Sequence, residues 1–161
     1  MSSSSLPEIV RAFNALPRNP RAPSGTVPNN WHISIRPVPL QPPGHLIFLV
    51  QPDSHYVDSQ GPIERAMGKA LGESIDLESD ATAMIIARLI LQSFVNRVPS
   101  TGRPWSWCTN DEGMAGRVVD VMRRFGIEEA LLDMPVVSNE QNASCDEDWE
   151  RFLDQLRGLV T

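Results

Sequence analysis

Apolar positions along this chain recur with two periods, and the switches between them mark its elements. Leu6, Ile9, Val10, Phe13 and Leu16 repeat at helical spacing. Ser5 stands where a cap belongs, Glu8 falls three residues later and Pro7 suits the first turn, so a short amphipathic helix is predicted. Trp31-His32-Ile33-Ser34-Ile35 alternates apolar and polar, the pattern of a half-buried strand. His45 to Val50 is apolar without a break, as in a strand covered on both faces. Tyr56 and Val57 suit a short returning strand. Gly61-Pro62 opens a short helix with Ile63, Met67, Ala70 and Leu71, stopped by Gly72. From Ala81 to Arg97 the apolar residues go round nearly the whole helix, with Ser79 or Asp80 as cap, so this helix should be the most buried.

The stretch 101–127 is the most explicit. Gly102-Arg103-Pro104 leads into a strand, Trp105 to Cys108, and Asp111 is placed to cap a helix bearing Val118, Val119, Val121, Met122 and Phe125, which Gly126 ends. Ile127 leads to a further strand around Ala130 to Met134. A last helix is expected from Ser144 or Asp146, with Ser144 and Glu147 as a capping box and Trp149, Phe152, Leu153, Leu156 and Leu159 on one face. The crossover helix makes this a β-α-β unit with parallel strands. The whole predicts a single α/β domain over 31–161, a mixed β-sheet with helices on both faces. Strand 45–50 is expected in the sheet interior and parallel to strand 105–108. Residues 1–30 read as a Pro/Ser-rich arm with its short helix, separable from the domain and packed against it.

Composition adds two facts. Of 14 prolines, ten lie in the first 52 residues, which stiffens that part alone. The net charge is −6, and nine acids between Glu128 and Asp154 face only Arg151, whereas Arg11, Arg18, Arg21 and Arg36 outnumber Glu8 in the first 44 residues. An acidic chain without a basic stripe argues against nucleic acid as partner. The basic arm and acidic end are read as solvated segments, or as an arm that docks on acidic groups. The start of the chain lacks the basic and apolar regions of a secretory signal, and no apolar run is long enough to span a membrane, so an intracellular location, cytoplasmic or nuclear, is expected. Cys108 and Cys145, distant in sequence, suit a reducing compartment. Neither belongs to a zinc motif, and Cys145, near the expected helix start, is the better candidate for a reactive thiol.

Segments 45–53 (HLIFLVQPD), 102–111 (GRPWSWCTND) and 124–135 (RRFGIEEALLDMP), with the order of elements, resemble a ribonuclease H-like core of the integrase and transposase type. That resemblance implies three carboxylates, one after the first long strand, one after a later parallel strand and one on a C-terminal helix. Asp53, Asp111 and Glu147 stand in those places and would hold Mg²⁺ for phosphoryl transfer. The Asp-Asn-Gly that often follows the second strand is missing. Turn chemistry accounts for Asp53, and helix capping for Asp111 and Glu147. The region 45–155 also resembles a small α/β accessory module of larger proteins, through its apolar strand, Gly-Arg-Pro, capped helix, Phe-Gly-Ile and Met-Pro; that likeness implies no catalytic residues.

No phosphate-binding loop, dinucleotide fingerprint or nucleophile elbow is present. The three histidines are scattered, with His55 close to Asp53 and Asp58 in sequence. Trp105 and Trp107, two apart in a strand, should share one face, as core or as a stacking platform. The expected function is that of a non-catalytic interaction or accessory domain that binds a protein partner, without cofactor or metal. The alternative is a Mg²⁺-dependent nuclease-like or transposase-derived domain using Asp53, Asp111 and Glu147.

Overall fold

The computed structural model describes residues 5–21, 27–39, 44–69, 73–97, 100–137 and 139–160. Helix α1 (Leu6–Ala15) starts at Ser5, whose hydroxyl accepts the Glu8 N–H. Strands β1 (Asn30–Val38), β2 (Gly44–Gln51) and β3 (Tyr56–Gln60) form an antiparallel meander. A single turn, α2 (Ile63–Ala66), precedes α3 (Asp80–Val95), capped by Ser79 through the Thr82 N–H. Strand β4 (Ser106–Thr109) leads into α4 (Glu112–Arg124), capped by Asp111 through the Met114 N–H at 3.0 Å. Helix α5 (Asn139–Val160) closes the chain. Gly72 and Ala70–Leu71, assigned to the end of the short helix, lie outside the described residues, as does the side chain of Leu159.

The chain is an α/β domain with a mixed sheet of order β3-β2-β1-β4 and helices on both faces. The uninterrupted apolar run of β2 explains the layering. Ile47 and Leu49 join the core made with α1, α3 and α4, while Phe48 and Val50 join a second core with Cys145, Trp149 and Leu153 of α5; all four strand residues are fully buried. Phe48 meets Trp149 edge-on, with centroids 5.2 Å apart.

Four expectations need correction. Strand β2 does lie inside the sheet, but it is not parallel to β4. The crossover through α3 returns β4 to the side of β1, parallel to it, and β1 and β2 are antiparallel. Residues 130–134 form no strand: Glu129–Leu131 is a 3₁₀ turn, and only Val136 bridges Thr109 in parallel fashion. Thr109 donates to the Pro135 carbonyl and accepts from the Val137 N–H, so the next bond toward the strand start would need an N–H on Pro135, which has none. Helix α5 begins at Asn139, so Ser144 and Glu147 lie inside it and form no cap. Trp105 precedes the strand and does not share the face of Trp107: Trp107 is buried and donates to the Leu131 carbonyl at 2.9 Å, whereas Trp105 is 44% exposed.

The N-terminal segment is not an appendage. Phe13 has no exposed surface and lies stacked on Trp107 and edge-on to Phe94. The chain after α1 is tied to residues 101–103. Arg103 N–H donates to the Pro17 carbonyl, and the fully buried Asn29 directs its Nδ2 at the carbonyls of Asn19, Thr101 and Arg103 while its Oδ1 accepts from Trp31 Nε1. Gly102 makes this possible. It has φ +69°, and a Cβ there would sit 2.3 Å from the Pro17 carbonyl oxygen. Gly102→Ala is expected to cost about 2 kcal/mol or more, from left-handed strain and loss of the seam; an unchanged urea midpoint would contradict this.

Candidate functional site

The end of the sheet where β1 and β4 begin and β2 finishes holds a cleft of about 470 Å³. Asp53, in the turn after β2, lines it, as do Ala130 and Leu131 of the 3₁₀ turn and Asp133 and Pro135 after it. Trp105 and Trp107 line it, with Cys108. Of the large apolar side chains exposed among the described residues, Trp105 lines this cleft, whereas Val136 lines a separate groove against α4. Tyr56 meets Trp31, one of its walls, edge-on at 6.0 Å. Arg18, which also lines the cleft, holds Trp105, with its guanidinium 4.4 Å from the ring centroid and its Nη2 donating to the Trp105 carbonyl at 2.6 Å. An exposed indole held in place by a cation costs little entropy to bury, which is what an interface anchor requires.

The carboxylates singled out by the ribonuclease H-like resemblance are placed apart. Asp53 follows the C-terminal end of β2 and Asp111 the C-terminal end of β4, and these strands run in opposite directions. Glu147 is exposed on α5. Among the described residues no group of three or more His, Cys, Asp or Glu gathers so as to hold a metal ion. The longest strand, β1, carries no acid. Its His32, Ser34 and Arg36 form a polar layer against α5: His32 Nε2 pairs with Asn142 Oδ1 at 3.1 Å, and Arg36 binds Asp146 at 2.6 Å as well as Ser34.

The histidines, scattered in sequence, each find a partner. His45 Nδ1 lies 2.6 Å from Glu64 Oε2, and Glu64 Oε1 accepts the His45 N–H. Burial alone would raise the Glu64 carboxyl, but these bonds outweigh it and hold it below its usual value. Both oxygens are occupied in anchoring the start of β2, so this pair, although it borders a larger cleft of about 580 Å³, is structural. His55 does not pair with Asp53 or Asp58 but with the buried Asp148 at 3.1 Å, which Arg151 also binds at 2.5 Å. Sequence offered no signal for these pairs, since the partners lie 19 and 93 residues away.

Cys145 is not a reactive thiol at a helix start. It is buried within α5, and burial, with Cys108 and Asp148 nearby, pushes it up to about 12. Burial pushes Cys108 up to about 11. His32 moves the other way: burial lowers its pKa from the ordinary 6.5, against the Asn142 bond and Asp146 and with the help of Arg36. The folded state therefore holds His32 neutral where the unfolded chain would protonate it. Between the two pKa values the unfolded chain binds more protons, so this contribution to stability is complete above about pH 6.5 and declines as pH falls below it. His32→Gln is expected to lose less stability than the wild type between pH 7 and pH 5 in urea titrations; equal losses would refute the assignment.

Comparison with known proteins found no match: no family model, curated protein or solved structure is significantly similar to this chain. Among the described residues no helix is long and apolar enough to cross a membrane.

Proposed function

We propose that this chain is a non-catalytic interaction domain that binds a protein partner through the cleft at the end of its sheet, inside the cell. The observation that carries this reading is Trp105, a large apolar side chain 44% exposed in the lining of a cleft and held there by Arg18, because an ordered, exposed indole beside a concavity is suited to anchor a protein partner. The order of elements supports a ribonuclease H-like ancestry. The opposed positions of Asp53 and Asp111 and the acid-free β1 speak against inherited phosphoryl transfer, because a two-metal centre needs its carboxylates to converge on ions about 4 Å apart.

Panning a random peptide library against the immobilised domain tests the interaction reading. Enriched sequences that compete with one another for the soluble protein are expected; a library without enriched binders would overturn it. The nuclease-like alternative has its own test in thermal melts with and without Mg²⁺. A ligand at 100 times its Kd stabilises the folded state by about 2.7 kcal/mol, a melting shift of several degrees. The expected result is no shift that depends on Asp111. A shift in the wild type that Asp111→Asn abolishes would establish metal use at the sheet and replace the interaction reading.

A further inference from the structure

We infer that α5 is an acid-released clasp: protonation of His32 loosens this helix from the sheet and bares Phe48 and Val50, while the main core stays closed. The layering lets α5 move alone. It supplies Cys145, Trp149 and Leu153 to the second core and, among the described residues, nothing to the main core on the opposite face. His32 sits where this helix meets β1, with 1% of its surface exposed. Asn142 Oδ1 can only accept, so His32 Nε2 carries the proton of the neutral ring and donates it. Nδ1 is then the bare nitrogen, buried and without a partner among the described residues. Acid adds its proton there. The result is a buried N–H with nothing to accept it, and a second cation in the layer that holds Arg36. The surroundings offset little of this. Arg36 on the same strand repels the imidazolium, and Asp146 of α5 attracts it but is bound to Arg36 at 2.6 Å. Val50 of β2 and Cys108 of β4 stand beside His32 in register, and burial keeps the Cys108 and Cys145 thiols neutral. With α5 lifted, water accepts from Nδ1, so the open state takes up one proton that the closed state refuses. Opening is therefore favoured as pH falls through 6.5, the ordinary value, by at most about tenfold per pH unit until the folded value is reached.

Hydrogen exchange of the full chain between about pH 7.5 and pH 5, read by mass spectrometry and corrected for intrinsic rates, tests this. Amides around Cys145 and Trp149 report α5, and those around Ile90 report the main core through α3. The α5 amides are expected to exchange ahead of α3 at every pH. Their opening should rise several-fold over this range, and by no more than about thirtyfold, the limit for one proton taken up below pH 6.5. His32→Gln keeps a donor for Asn142 but takes up no proton, so its α5 opening should lose that rise. Whatever Asp146, Asp148 and His55 contribute is present in both proteins and cancels in the comparison. Asn142→Asp sets a carboxylate against the ring and lets the closed state hold the proton, so the rise should vanish or invert; a purely structural role for His32 would leave it in place. Exchange of α5 and α3 at one common rate, or an equal rise in the wild type and His32→Gln, overturns the inference. Should His32→Gln fail to fold, Asn142→Asp decides alone, and a rise equal to that of the wild type overturns it.

Discussion

Removal of residues 1–28 is expected to abolish cooperative unfolding rather than trim a dispensable arm. Ile9, Val10 and Phe13 are buried in the main core, and each apolar side chain so buried contributes roughly 1.5–3 kcal/mol. Their loss would bare the inner faces of α3 and Trp107. The truncation also removes Pro17 and Asn19, which face Gly102, Thr101 and Arg103 across the seam. Set against a usual stability of about 5–15 kcal/mol, this is most or all of the total. Phe13→Ala alone is expected to cost about 3–5 kcal/mol, since its ring packs on Trp107 and Phe94 and leaves a cavity. Circular dichroism melts of the truncated chain and of Phe13→Ala check both. A truncated protein that melts sharply within a few degrees of the full chain would show that the α1 contacts add little.

Substitution of Arg97 carries the second large effect. Its side chain is 4% exposed, yet it bears a full charge just after α3. The guanidinium lies 4.3 Å from the Trp31 ring centroid and 4.6 Å from that of Phe94, and Nη2 binds Asp58 of β3 at 2.8 Å. One planar cation thus joins α3, β1 and β3. Arg97→Ala is expected to cost about 3 kcal/mol, the lower end for breaking a buried pair, because Asp58 retains some contact with solvent. Arg97→Lys should recover less than half of that, for an ammonium has neither the planar face that meets the two rings nor the fork of donors. Asp58→Asn should be milder than either, as the stacking persists. Urea midpoints of the three variants decide the order, and a Lys variant as stable as the wild type would rule out a role for the planar group.

Particular residues show how far the sequence could be read. The period of α3 and the apolar run of β2 announced both elements, because burial on nearly all sides leaves few polar positions. The run Thr109-Asn110-Asp111 announced the cap of α4, which falls to Asp111, since the bond it makes spans three residues. Other readings failed where a local signal met a distant competitor. Ser144 and Glu147 have the spacing of a cap, but α5 carries Asn142 against His32 and Cys145 against the second core, so the helix continues through them. The Trp105–Trp107 alternation assumed a strand that starts one residue later.

Sequence by itself determined the layered α/β class, the identity of most elements, the caps of α1, α3 and α4 and the acidic charge, all of which depend on interactions within a few residues or on composition. Only the tertiary structure decided that β4 lies beside β1, that the N-terminal helix belongs to the core, which carboxylate meets which histidine, and that Asp53 and Asp133 line one cleft while Asp111 lies elsewhere. These depend on which side of the sheet a crossover returns to and on contacts across tens of residues, where loop-closure entropy and packing choose among partners that the local pattern leaves equal.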